Sequence, residues 1–192
     1  MKRRTFDTLM SAAGLLLALV LVVAGGLLTW GHNYVTDQVH DQLAAQKIFF
    51  PPADDPSIAG PQFAAVRAYG GKQLTTGAQA EVYADHFIAV HLQEIGGGKT
   101  YAELSAKSNA NPDDTELAEQ VQTMFRGETL RGLLLDAYAF ATIGQIAGIA
   151  AIVAFVSAAL LLALSALGFV HARRITPDTE VLVVHEREHE HH

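Results

Sequence analysis

Four histidines stand in the last eight positions of the 192-residue chain, His185, His189, His191 and His192, interleaved with Glu186, Glu188 and Glu190. Imidazoles bind transition metals, and histidine-rich tracts can do so in isolation. These four are therefore the candidate metal ligands. A solvated, disordered tail is the competing reading, because a chain without fixed structure loses entropy when it closes a site.

Two more groups of ionisable residues lie mid-chain. Asp37, His40 and Asp41 share one helical turn, and Asp85, His86, His91 and Glu94 share a longer helical stretch. A catalytic metal centre needs about three convergent ligands. His86 and His91 are five residues apart, which places them roughly 140° apart around a helix. No His-Glu-x-x-His arrangement is present, so solvated helix faces account for both groups. Gly98-Lys99-Thr100 has the ending of a phosphate-binding loop, but that motif requires another glycine five residues before Gly98, where Gln93 stands. A glycine helix stop followed by a helix cap explains all three residues. The chain has no cysteine and no Gly-x-Ser-x-Gly, so no thiolate, disulfide or serine elbow is available. No catalytic residue and no cofactor is assigned.

The segment that must position these groups is dominated by two apolar blocks. Residues 133–170 contain one charge, Asp136. As a helix they would run roughly 57 Å, nearly twice the ~30 Å of a bilayer core. Residues 9–29 would run roughly 32 Å and end at Trp30, an aromatic suited to the headgroup level. A cleaved signal peptide is the rival reading of the first block, but its apolar run continues through Leu27-Leu28. Lys2-Arg3-Arg4 precedes the first block and Arg173-Arg174 follows the second, whereas residues 32–136 hold seven Lys/Arg against fourteen Asp/Glu. The positive-inside rule places both termini in the cytoplasm and the middle outside. The acidic middle, within a chain of net charge −7, excludes nucleic acid as a partner, since that requires clustered cations.

Gly144 and Gly148 form a small-xxx-small pair in the second block, and Gly14, Ala18 and Gly25 offer a facing groove in the first. Small residues let helices approach closely where lipid supplies no hydrophobic drive. The pair either packs the two spans of one chain or serves a homodimer or another membrane protein. Two apolar stripes continue the spans outward as antiparallel stalks: Val35, Val39 and Leu43 on one, Leu130, Leu133, Leu134, Ala137 and Ala141 on the other.

Between the stalks, Pro51-Pro52 enforces an extended course, and Phe49 and Phe50 beside it are expected to pack on the domain. Thr76 with Gln79 and Thr100 with Glu103 have the spacing of capping boxes. Ala80, Tyr83, Ala84, Phe87, Ile88 and Ile95 mark an apolar helix face, ended by Gly96-Gly97-Gly98. Asn111, followed by Pro112 at a first helical position, predicts a further helix start, with a bend at Gly127 before the last helix.

Arg4-Thr5-Phe6-Asp7, the run Ala24-Gly25-Gly26-Leu27-Leu28-Thr29-Trp30-Gly31 and Gln46-Lys47-Ile48-Phe49-Phe50-Pro51-Pro52 carry a family resemblance. So do residues 79–88, which include Tyr83-Ala84-Asp85-His86-Phe87, and residues 125–134, which open Phe125-Arg126-Gly127-Glu128. On these the chain resembles a family of uncharacterised two-span membrane proteins from high-GC Gram-positive bacteria. The resemblance covers nearly everything up to Arg174 and implies the two-span architecture. Some members carry the label aromatic ring-opening dioxygenase; a two-His, one-carboxylate iron site is not recognisable by spacing in this chain.

The sequence therefore predicts an all-α fold, with two transmembrane helices extended as stalks that carry a small extracytoplasmic helical domain. The segments are a cytoplasmic N-terminus at 1–8, a first span at 9–30, the outer domain with both stalks at 31–144, a second span at 145–170 and a cytoplasmic disordered tail at 171–192. The expected function is non-enzymatic, with the outer domain binding a protein partner or an envelope ligand. An enzyme or enzyme subunit with its site in that domain, or an accessory subunit of a transporter, is the alternative.

Overall fold

The computed structural model describes residues 3–174, which are mainly helical, with no strand beyond a single bridge among the described residues. Helix α1 is Arg3–Ala45, α2 is a single turn at Ala64–Arg67, α3 is Gly77–Tyr83, α4 is Ala89–Ile95, α5 is Tyr101–Ala110 and α6 is Thr115–Arg174. Helices α1 and α6, of 43 and 60 residues, are both long and apolar enough to cross a membrane. The chain divides into two compact units. Among the described residues, one comprises 3–30 together with 147–174; the other is Gly31–Ile146.

The Gly31–Ile146 unit has an ordinary hydrophobic core. Phe50, Ile58, Leu74, Met124, Leu134 and Val66 are its largest fully buried side chains. The Phe50 ring meets Tyr83 edge-on and Tyr69 at a tilt, each with centroids 5.2 Å apart. The extended course after α1 is held by backbone bonds to residues 71–74: Phe50 N–H to the Lys72 carbonyl at 2.9 Å, and Leu74 N–H to that of Ile48 at 2.9 Å. One antiparallel bridge forms there, between Phe49 and Gln73. Side chains tie down the remaining irregular backbone. Arg67 donates to the carbonyls of Ile58 and Gly60, and Gln73 Nε2 donates to the Ala44 carbonyl at the end of α1, at 2.8 Å.

Both capping boxes form. Thr76 Oγ1 accepts from the Gln79 N–H while the Gln79 side chain accepts from the Thr76 N–H, and Thr100 with Glu103 repeats the arrangement. Between α3 and α4 the helix widens into a π turn at Ala84–Ile88. The buried residues Ala80, Ala84, Ile88 and Leu92 are spaced by four. At 3.6 residues per turn that row drifts by roughly 40° per step. The extra residue of the π turn takes up this drift. Ile95, which the simple helical period puts on the buried face, is exposed, and Leu92 is buried.

Three other expectations are corrected. Phe50 is buried but Phe49 is 55% exposed, because adjacent residues on an extended course point to opposite sides. The last helix starts at Thr115, where Asp114 Oδ1 accepts from the Leu117 N–H at 3.0 Å. Asn111 instead closes α5, its side chain donating to the Lys107 carbonyl at 2.9 Å. Gly127 lies inside α6 without ending it. A Cβ there would collide with the Leu92 side chain, so this glycine serves close helix approach rather than a bend.

The other unit inverts the usual distribution of side chains. Its buried residues are Ser11, Ala18 and Gly25 on α1, and Ala151, Ala154, Ala158, Ser165 and Ala172 on α6. With half-buried Asp7, Gly14 and Leu21 on α1, and Leu161 and Gly168 on α6, they recur in alternating steps of four and three. That seven-residue repeat is the contact seam of a left-handed helix pair. The large aliphatic residues face outward: Leu16, Leu19, Leu164 and Leu167 are 60–66% exposed.

Candidate functional site

Of the helix-packing residues read from the sequence, Gly14, Gly25 and Gly144 lie against side chains of the same chain. A Cβ on Gly14 would collide with the Ser165 hydroxyl, and one on Gly168 with the Ser11 hydroxyl. The two contacts are reciprocal, serine over glycine in both directions across the seam. Gly25 faces the Phe155 ring, and Ala18 is fully buried. Within the Gly31–Ile146 unit, Gly144 is buried against Val35, and its carbonyl lies 2.7 Å from His32 Nδ1. Gly148 is half-buried. Ser11, Gly168 and Asp7 escaped the sequence reading. Their signal was the four-three alternation of small residues, which a search for pairs four apart does not see.

The ionisable groups near the π turn are engaged within their own unit. Asp85 Oδ1 accepts from Arg131 Nη2 at 2.8 Å and from Nε at 3.2 Å, and Glu128 approaches Arg131 Nη1 at 3.5 Å. The Asp85 hydrogen bond, reinforced by the charges of Asp85 and Glu128, raises the guanidinium pKa above its ordinary value. His91 Nδ1 is 2.7 Å from the Phe87 carbonyl, and its ring lies against Phe87 and Phe63, with centroids 4.5 and 5.4 Å away. His86 and Glu94 are exposed, so the four residues do not converge. His40 Nδ1 meets Asp41 at 3.2 Å on the surface. Among the described residues no three His, Asp or Glu side chains gather as metal ligands. His185, His189, His191 and His192 lie outside the described residues.

Comparison with protein-family models, curated proteins and solved structures gave no match.

Gly97 and Gly98 adopt φ of 59° and 75° at the end of α4, and Gly98 N–H bonds the Gln93 carbonyl at 2.9 Å. That is a glycine helix stop, immediately followed by the Thr100 cap. The Thr100 backbone N–H, then its hydroxyl, bond the Glu103 carboxylate and lower its pKa. Ser57 does the same for Asp55 through its side chain and backbone. Burial raises the pKa of the Tyr83 phenol.

Two mainly apolar grooves open on the Gly31–Ile146 unit, besides a more polar one beside Ile95, Lys107, Asp114 and Gln120. One, of about 430 Å³, runs between residues 34–46 of α1 and 133–140 of α6; Gln38, Gln42 and Gln46 line one side, Leu133, Asp136 and Phe140 the other. A second, of about 280 Å³, is lined by His32, Thr36, His40, Thr75 and Thr76. Neither includes Asp85, His86, His91 or Glu94. The two grooves set amide, hydroxyl and imidazole groups beside apolar side chains.

Proposed function

We propose that this chain is a two-pass integral membrane protein whose residues 31–146 lie outside the cytoplasm on helical stalks and bind a protein partner or an envelope ligand. One observation carries the membrane part: in residues 3–30 and 147–174 every buried side chain is an alanine, glycine or serine, while most leucines, isoleucines and valines are exposed. In water such a surface would far exceed the few hundred Å² of contiguous apolar patch that soluble proteins carry. In lipid it costs nothing, and small residues form the contact. Kinship with the two-span family, both cytoplasmic termini and the outward placement of the acidic middle belong to the same proposal, supported by the charge asymmetry of the sequence.

The binding role is supported by the two grooves; Asp85 and His91 are engaged with Arg131 and the Phe87 carbonyl. Protease added to intact cells should cut the exposed loops at 52–57 or 96–100 and leave both ends protected. Crosslinking in native membranes should then capture a second protein on residues 31–146. Protection of those loops in intact cells would overturn the topology; crosslinks only between copies of this chain would overturn partner binding.

A further inference from the structure

The seam of residues 3–30 and 147–174 ends at a carboxylate. Asp7 Oδ2 is shielded from solvent and has no hydrogen-bond partner among the described residues, and His171 Nε2 stands 4.0 Å from it, beyond hydrogen-bond reach. An ionised oxygen placed so is costly unless a donor or cation reaches it. The same carboxylate lines a cavity of about 490 Å³. Away from Asp7 and His171 the cavity is a trough whose walls include Met10, Leu17, Leu161 and Leu164. Met10, Leu17 and Leu164 are more than half exposed, so the trough opens sideways to the surroundings of the helix pair.

This shape selects among cations. A protein calcium site takes about six to eight oxygens and a zinc site about three or four protein ligands, whereas the described lining offers one carboxylate and one imidazole. The nearby hydroxyls of Ser11 and Ser165 are set over Gly168 and Gly14 of the facing helix, so they do not supply the missing ligands. An ammonium group needs only one good acceptor, and an apolar tail attached to it would fill the trough. Resting on the membrane reading above, we infer that Asp7 and the trough bind a phospholipid with a primary ammonium headgroup. The ammonium donates to the Asp7 carboxylate where it lines the trough, and one acyl chain lies along Leu17 and Leu164. The lipid phosphate meets His171, with Arg4 and Arg173 exposed at the same helix ends. A quaternary choline headgroup has no N–H to donate, and a glycerol headgroup has no positive charge.

The test uses the full chain in nanodiscs of equal parts phosphatidylethanolamine, phosphatidylcholine and phosphatidylglycerol, released for native mass spectrometry. Phosphatidylethanolamine should be retained about tenfold over each of the others, the scale of one charge-assisted hydrogen bond. Asp7→Asn should bring the three to parity. Leu164→Trp, at an exposed position the helix contact does not use, should lower retention of all three. Free ethanolamine should not compete, which separates a lipid from a soluble amine. Equal retention by the wild type, selectivity that survives Asp7→Asn, or release of the lipid by sodium chloride but not choline chloride would each overturn the inference. If the chain fails to float with vesicles at all, the membrane reading fails instead.

Discussion

The two units solve opposite packing problems with the same amino acids. Residues 31–146 put Phe50, Leu74 and Leu134 inside and keep Gln38, Gln42 and Lys99 outside. Residues 3–30 and 147–174 put serine, glycine and alanine inside and leucine outside. The first arrangement is stabilised by removing apolar surface from water. The second gains nothing from that effect in lipid and relies on close backbone approach. A leucine therefore has a different energetic meaning in each unit.

Substitutions can sharpen or break that contrast. The largest effect should come from Phe50→Ala, a cavity under Tyr69 and Tyr83, at about 3–5 kcal/mol; Leu16→Ala in the other unit should stay within about 0.5 kcal/mol. Thermal unfolding of the full chain in detergent measures both, and comparable losses would erase the distinction. Next come overpacked glycines. Gly25→Leu against the Phe155 ring and Gly77→Leu against Ala141 should each cost about 1–3 kcal/mol, because close approach matters in both units. Thr76→Ala removes one helix cap and should cost about 1 kcal/mol. The Asp85–Arg131 pair is about one-third exposed on both sides, so Asp85→Asn should cost about 1 kcal/mol or less.

The smallest expected effect is a pH response confined to residues 31–146. Asp55 and Glu103 have pKa values lowered from 3.8 and 4.5 by their hydrogen bonds. A lowered carboxylate adds stability above its unfolded pKa and loses it as pH falls through the folded one. The melting temperature should therefore be flat near neutrality and drop below those ordinary values, with a smaller drop in Glu103→Gln. A loss that begins above pH 6 would point to histidines instead.

Much of this was legible in the residues. Both capping boxes and the glycine stop were readable because each is a local contract between a few neighbours. The two apolar blocks were readable from length alone. The π turn was not, because an inserted residue changes the helical period without any marker residue; its only trace was apolar spacing of four at Ala80, Ala84 and Ile88. The split fate of Phe49 and Phe50 depended on a backbone pairing with residues 71–74, which is tertiary. Gly127 looked like a breaker because sequence cannot show Leu92 opposite it. Asp7 carried no site reading in the sequence; only the seam reveals that one of its carboxylate oxygens is buried.

The account rests on the inverted packing of residues 3–30 and 147–174. Because the chain contains no cysteine, single cysteines carrying a spin label can be placed at Leu16, Leu164, Ala18 and Ala158 in the reconstituted protein. Collisions with oxygen and with a water-soluble nickel chelate then report the surroundings of each. The account predicts frequent oxygen and rare nickel collisions at positions 16 and 164, and rare collisions with both at 18 and 158. Frequent nickel collisions at positions 16 and 164 would contradict it.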